Sequence, residues 1–133
     1  MQQSPRQSLW MHLIGLAAVV ALGTQPVSAH HSFAMYDNGK QITIEGVVKE
    51  LQWTNPHVWI QVLVPNAKGG QDEWSVECTS VNFMVRRGFS KDTIKAGDKI
   101  SVSLTPLKDG SHGGAFKGVN SLNGAPLKLE SED

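Results

Sequence analysis

The chain has 133 residues, with twelve lysines and arginines against twelve aspartates and glutamates, so its formal net charge is zero. The lysines are scattered among the acids and only Arg86-Arg87 are adjacent, which excludes the basic stripe of a nucleic-acid binder. Cys78 is the only cysteine, so an internal disulfide is excluded and stability must come from a packed core.

Residues 1–29 read as a secretory signal. Arg6 supplies the positive n-region, and 9–22 is an apolar run interrupted only by His12. Gly23 and Pro26 break any helix, and Ala29 with Val27 two residues before it fits a signal-peptidase site. The run is too short to span a bilayer comfortably, and no cysteine stands at the junction to carry a lipid anchor. Cleavage removes Arg6 but none of the acids, and the remaining chain is one domain's worth with a formal charge near −1. The mature protein is expected in a Gram-negative periplasm, off the membrane. It comprises a single domain over 30–129, with an N-terminal arm at 30–40 and an acidic tail at 130–133.

Five strands follow in the sequence pattern. The first, 42–53, alternates Ile42 and Ile44 on one parity and Val47, Leu51 and Trp53 on the other. A glycine bulge at Gly46 is expected to reconcile the two. Asn55-Pro56 makes a turn into the second strand, 58–64, with Val58, Ile60, Val62 and Val64 inward and His57, Trp59 and Gln61 opposite. The third strand, 74–78, points Trp74, Val76 and Cys78 one way and Ser75 and Glu77 the other. Thr79 or Ser80 caps a short helix through Arg87, with Val81, Met84 and Val85 plugging a barrel end and Gly88 stopping it. The fourth strand, 99–104, buries Ile100, Val102 and Leu104. The fifth, 115–122, ends at an Asn123-Gly124 hairpin turn with a short return at 127–129. Five short strands, a long bent first strand and a helix between strands three and four predict an all-β, OB-like Greek-key barrel. An open β-sandwich is the competing fold.

His30-His31-Ser32-Phe33-Ala34, Trp53-Thr54-Asn55-Pro56-His57, Trp74 with Glu77, and Lys95-Ala96-Gly97-Asp98 occur in that order. On these segments the chain resembles a family of small exported bacterial proteins of unknown function, over His30 to about Leu127. Val81-Asn82 stands where a proline and a small residue are expected, and Cys78 is unusual. The resemblance implies export and a compact β domain, and no activity.

Four histidines survive cleavage: His30, His31, His57 and His112. In an OB-like barrel the loop between strands one and two lies near the loop between strands four and five, so His57 and His112 are expected to converge. The freed α-amine, with an ordinary pKa of about 7.7–8.0, chelates a metal together with the His30 ring. His57 or His112 then adds a nitrogen. Such a set favours copper(II) over zinc(II). A second copper mode uses the amine, the His31 ring and the backbone nitrogen between them. Ser32 occupies the third position, where the familiar amino-terminal copper motif has histidine. The plain alternative is that these histidines are hydrogen-bonding or surface residues.

Trp59, Glu77 and Asn55 form a candidate ligand or partner face. Trp59 either stacks a ligand ring or packs under the arm with Phe33 and Tyr36, and the arm's aromatics favour packing. Glu77 reads as a general base or, more simply, as a solvated or hydrogen-bonded acid. Cys78 reads as a buried hydrophobe, with a metal ligand or an intermolecular disulfide as alternatives. No nucleophile elbow and no phosphate-binding loop appear, so no enzyme is expected. The leading functional expectation is an exported binding domain that takes copper through His30. Its rival is a metal-free domain that docks a periplasmic protein or small ligand on the Trp59/His57 face.

N-terminal sequencing of protein recovered from the periplasm should return His30 as the first residue. Any other start removes the terminal chelate.

Overall fold

A computed structural model describes residues 33–129, which fall within a compact unit spanning Ser32–Asp133. The signal segment, His30, His31 and the acidic tail lie outside the described residues. A 3-10 turn at Phe33–Met35 leads into five strands: β1 (Ile42–Gln52), β2 (Trp59–Pro65), β3 (Gln71–Glu77), β4 (Lys99–Pro106) and β5 (Gly113–Leu122). A short helix, α1 (Val81–Arg86), follows β3. The strands close in the order β1-β2-β3-β5-β4, with β3 and β5 parallel and the other pairs antiparallel. This is the OB-like barrel expected from the pattern, and closure excludes the open sandwich. Among the described residues no helix is long and apolar enough to cross a membrane.

The core follows strand alternation. Val58, Ile60 and Val62 from β2 and its approach, Val76 from β3, and Ile100, Val102 and Leu104 from β4 are buried together. Met84, Phe89 and Ile94 belong to the same cluster, and Phe89 meets Phe116 edge to face at 5.9 Å. Of the helix residues expected to plug the barrel, Met84 is buried and Val81 packs against the core, whereas Val85 faces solvent.

The bend in β1 differs from the expected one. Ile44 and Val48 are both buried, so the first parity runs past Gly46. The register skips between Val48, opposite Val62, and Glu50, opposite Gln61, so Lys49 is the extra residue. The Val48 backbone is held here by the turn before β4: its N–H donates to the Asp98 carbonyl, and its own carbonyl accepts from Gly97. Only after Lys49 do Leu51 and Trp53 turn toward the core. Gly46 serves a different purpose. It lies where β1 passes from β4 to β2, and a Cβ there would run into the Leu63 carbonyl, only 2.9 Å from both its carbon and Val62 Cγ1.

Two other local expectations change. Ser80 occupies the N-cap position of α1 but makes no side-chain cap bond. The Val81 N–H instead donates to Asn55 Oδ1 at 3.0 Å, so the cap comes from the β1–β2 loop. The hairpin turn forms as expected, with Asn123 and Gly124 at φ of 50° and 83°. Its return is a single bridge between Leu122 and Ala125, not a strand at 127–129, although Leu127 and Leu129 still pack on the core.

Replacing Gly46 with valine should lower the unfolding free energy by about 2 kcal/mol, read as a shifted urea midpoint, because the clash is with backbone that cannot rotate away. An unchanged midpoint would mean that β1 and β2 do not approach so closely at this residue.

Candidate functional site

β3 ends in an acid that is not solvated. Glu77 lies on the outward parity, in register with Trp59 on β2 and Ala115 on β5, yet it is only 7 % exposed. The N-terminal arm covers it. Asp37 N–H donates to the Pro106 carbonyl at 2.9 Å, Lys108 N–H donates to the Met35 carbonyl at 3.0 Å, and Tyr36 bridges Leu107. This clasp buries Tyr36, whose hydroxyl donates to Glu77 Oε2. The other carboxylate oxygen, Oε1, is paired with His57 Nδ1. Both oxygens of a buried carboxylate are thus satisfied, by side chains 41 and 20 positions away.

His57 is placed by backbone. The Val58 N–H donates to the Thr79 carbonyl at 2.9 Å, and the Cys78 N–H donates to the Val58 carbonyl at 2.8 Å. These two bonds carry the β2–β3 ladder beyond Trp59 and Glu77 and bring His57 alongside the end of β3. The loop's other end is tied to α1 through Asn55. Asn55, expected on a ligand face, is therefore a helix cap.

His112 lies elsewhere. Its ring stacks on Trp74 with centroids 5.0 Å apart and planes at 20°, and its Nε2 is 3.7 Å from Asp72 Oδ2. Asp72 and Trp74 alternate with Ser75 and Glu77 along β3, so the two histidines contact opposite faces of that strand. The five residues from Asp72 to Glu77 span about 16 Å at the usual strand rise. The expected convergence of His57 and His112 does not occur, because the β4–β5 loop lays His112 on the Trp74 side. Among the described residues no group of three or more His, Cys, Asp or Glu side chains could hold a metal ion.

Trp59 is half-buried beside Glu77. Of the arm aromatics expected over it, Tyr36 is buried against Glu77 while Phe33 is 79 % exposed. A cleft of about 390 Å³ lined by Glu45, Gly46, Pro65, Lys99 and Ser121 contains none of the residues singled out from the sequence. Tyr36 is the member that sequence reasoning missed. Its aromatic character marked it as needing cover, but nothing local pairs it with an acid on a distant strand.

The Family of unknown function (DUF6152) matches residues 17–117. The chain belongs to this family. The match takes in Tyr36, His57 and Glu77 as well as all of β1 to β4. No curated protein matches the chain.

Two groups beside the site have raised pKa values. Burial pushes the Tyr36 hydroxyl well above 10.0, helped by its hydrogen bond to Glu77 and the charge there. Burial also pushes the Cys78 thiol up to about 12, against the opposing pull of Arg87. The fold therefore holds both groups neutral. Their stabilisation is complete below the unfolded-state values, 9.0 for the thiol and 10.0 for the phenol, and is lost as pH rises past them. The urea midpoint should fall as pH rises from 9.0 toward about 12, with a shallower onset in Cys78→Ala. Tyr36 is the only tyrosine, so tyrosinate absorbance reads it alone. An ordinary titration near 10.0 would mean that its hydroxyl is not held against Glu77.

Proposed function

We propose that the mature protein is an exported, non-enzymatic binding domain of the periplasm that takes up a transition metal ion, copper(II) ahead of zinc(II), through His30 and His57. The observation that carries this reading is the pairing of His57 Nδ1 with the buried Glu77 carboxylate. Metal-binding histidines commonly donate one ring N–H to a carboxylate, which orients the ring and raises the basicity of the other nitrogen. His112, stacked on Trp74 across β3, is left out of the ligand set.

One imidazole is not a metal site, and the freed terminus supplies the remaining donors. Cleavage after Ala29 gives His30 an amine and a ring nitrogen that close a chelate. The six residues from His30 to Tyr36 extend to at most about 20 Å, so a short tether joins that chelate to the clasped arm. Three nitrogens in this arrangement suit copper(II). A second reading is supported by the exposed Phe33 and Met35 on the arm. There the same face, with Trp59, docks a protein partner or small ligand without metal.

Titration of the cleaved protein with Cu(II) and Zn(II) separates the two. Cu(II) should bind more tightly than about micromolar. His57→Ala, or one extra residue ahead of His30, should each weaken it at least about tenfold. Weaker binding, or indifference to both changes, removes the metal site and leaves the docking domain.

A further inference from the structure

We propose that Glu77 and Tyr36 are positioning residues that hold the neutral His57 ring in its Nδ1–H tautomer, so that Nε2 is the nitrogen offered to a ligand. The assignment to a metal ligand rests on the functional reading above. The tautomer itself does not.

The argument begins with the carboxylate. An acid buried on the outer face of a strand is costly unless each oxygen finds a donor. Glu77 has two, one on each oxygen: the Tyr36 hydroxyl and His57 Nδ1. A carboxylate accepts and cannot donate, so the contact with the neutral ring requires the proton on Nδ1. The lone pair of the ring is then on Nε2. A free neutral imidazole has no such constraint.

Geometry makes the choice firm. The ring cannot drift from the carboxylate, because the Val58 backbone is bonded on both sides to Cys78 and Thr79, the residues directly after Glu77. The carboxylate cannot easily swing away either. Tyr36 holds Oε2, and Tyr36 is fixed through its neighbours to Pro106 and Lys108. Order therefore passes from the clasped arm to Glu77 and from Glu77 to His57. The arm that would carry the metal-binding terminus is also the arm that sets the ring.

Ring-nitrogen NMR on ¹⁵N-histidine-labelled, metal-free periplasmic protein reads the tautomer directly, with the His57 signals identified by their loss in His57→Gln. The wild-type neutral ring should be predominantly Nδ1–H. Glu77→Ala removes the acceptor and should shift it to mainly Nε2–H. Glu77→Gln keeps an acceptor oxygen and should retain Nδ1–H, the rescue that a merely structural role would not give. Tyr36→Phe keeps the ring shape of residue 36, which guards against a misfolded Glu77→Ala, and should lower the Nδ1–H population. Cu(II) affinity should fall about 10- to 100-fold in Glu77→Ala. A wild-type ring in the Nε2–H form, or a tautomer unmoved in folded Glu77→Ala and Tyr36→Phe, overturns the proposal. If the tautomer responds while copper binding ignores His57→Ala, the positioning chain stands and the metal reading falls.

Discussion

A carboxylate taken out of water at the end of β3 is the constraint on which the rest of this site depends. Glu77 points away from the barrel core, where an acid would ordinarily be hydrated, and the N-terminal arm closes over it. Once covered, it needs two donors, and the fold provides one from the arm and one from the β1–β2 loop. The arm, the loop and the sheet edge are joined through this one side chain. Without its hydrogen bonds, Tyr36 and His57 would still share a surface, but nothing would fix their relative orientation.

The barrel's irregularities support that junction. β1 must leave β4 and join β2, which brings its backbone against Leu63 at Gly46 and makes a side chain there impossible without movement. The extra residue at Lys49 then changes the parity of the strand, so Leu51 and Trp53 reach the core just before the loop starts. At the far end of the loop, Asn55 caps α1 and the Val58 backbone is stitched to Cys78 and Thr79. A loop anchored at both ends gives His57 a defined place, which a freely mobile turn would not.

His57 and His112 show how differently two histidines of one barrel can be used. His57 is directed edge-on to an acid through a ring nitrogen. His112 lies with its face on an indole, with Asp72 at 3.7 Å from its Nε2. The first environment controls which nitrogen carries the proton, and the second chiefly buries apolar ring surface. Cys78, adjacent to Glu77 but on the opposite face, is held as a neutral thiol in the core and plays the part of a small hydrophobe.

The sequence by itself determined the barrel. The alternation of Val58, Ile60 and Val62, the matching run at Ile100 to Leu104, the glycine in a long first strand and the Asn123-Gly124 turn are period and turn signals. They act within a few residues and can be read without a partner. It also marked His57, Trp59 and Glu77 as chemically interesting and put them on one parity. Tertiary structure alone decided which of them meet. Placing the parity change at Lys49 required the pairing of β1 with two different strands. The capping of α1 by Asn55 joins residues 26 positions apart, and the bond from Tyr36 to Glu77 joins residues 41 apart. No local preference encodes such contacts, because they depend on where a closed sheet brings its loops and its arm. The same closure sent His112 to the Trp74 side of β3, a placement that composition and spacing leave open.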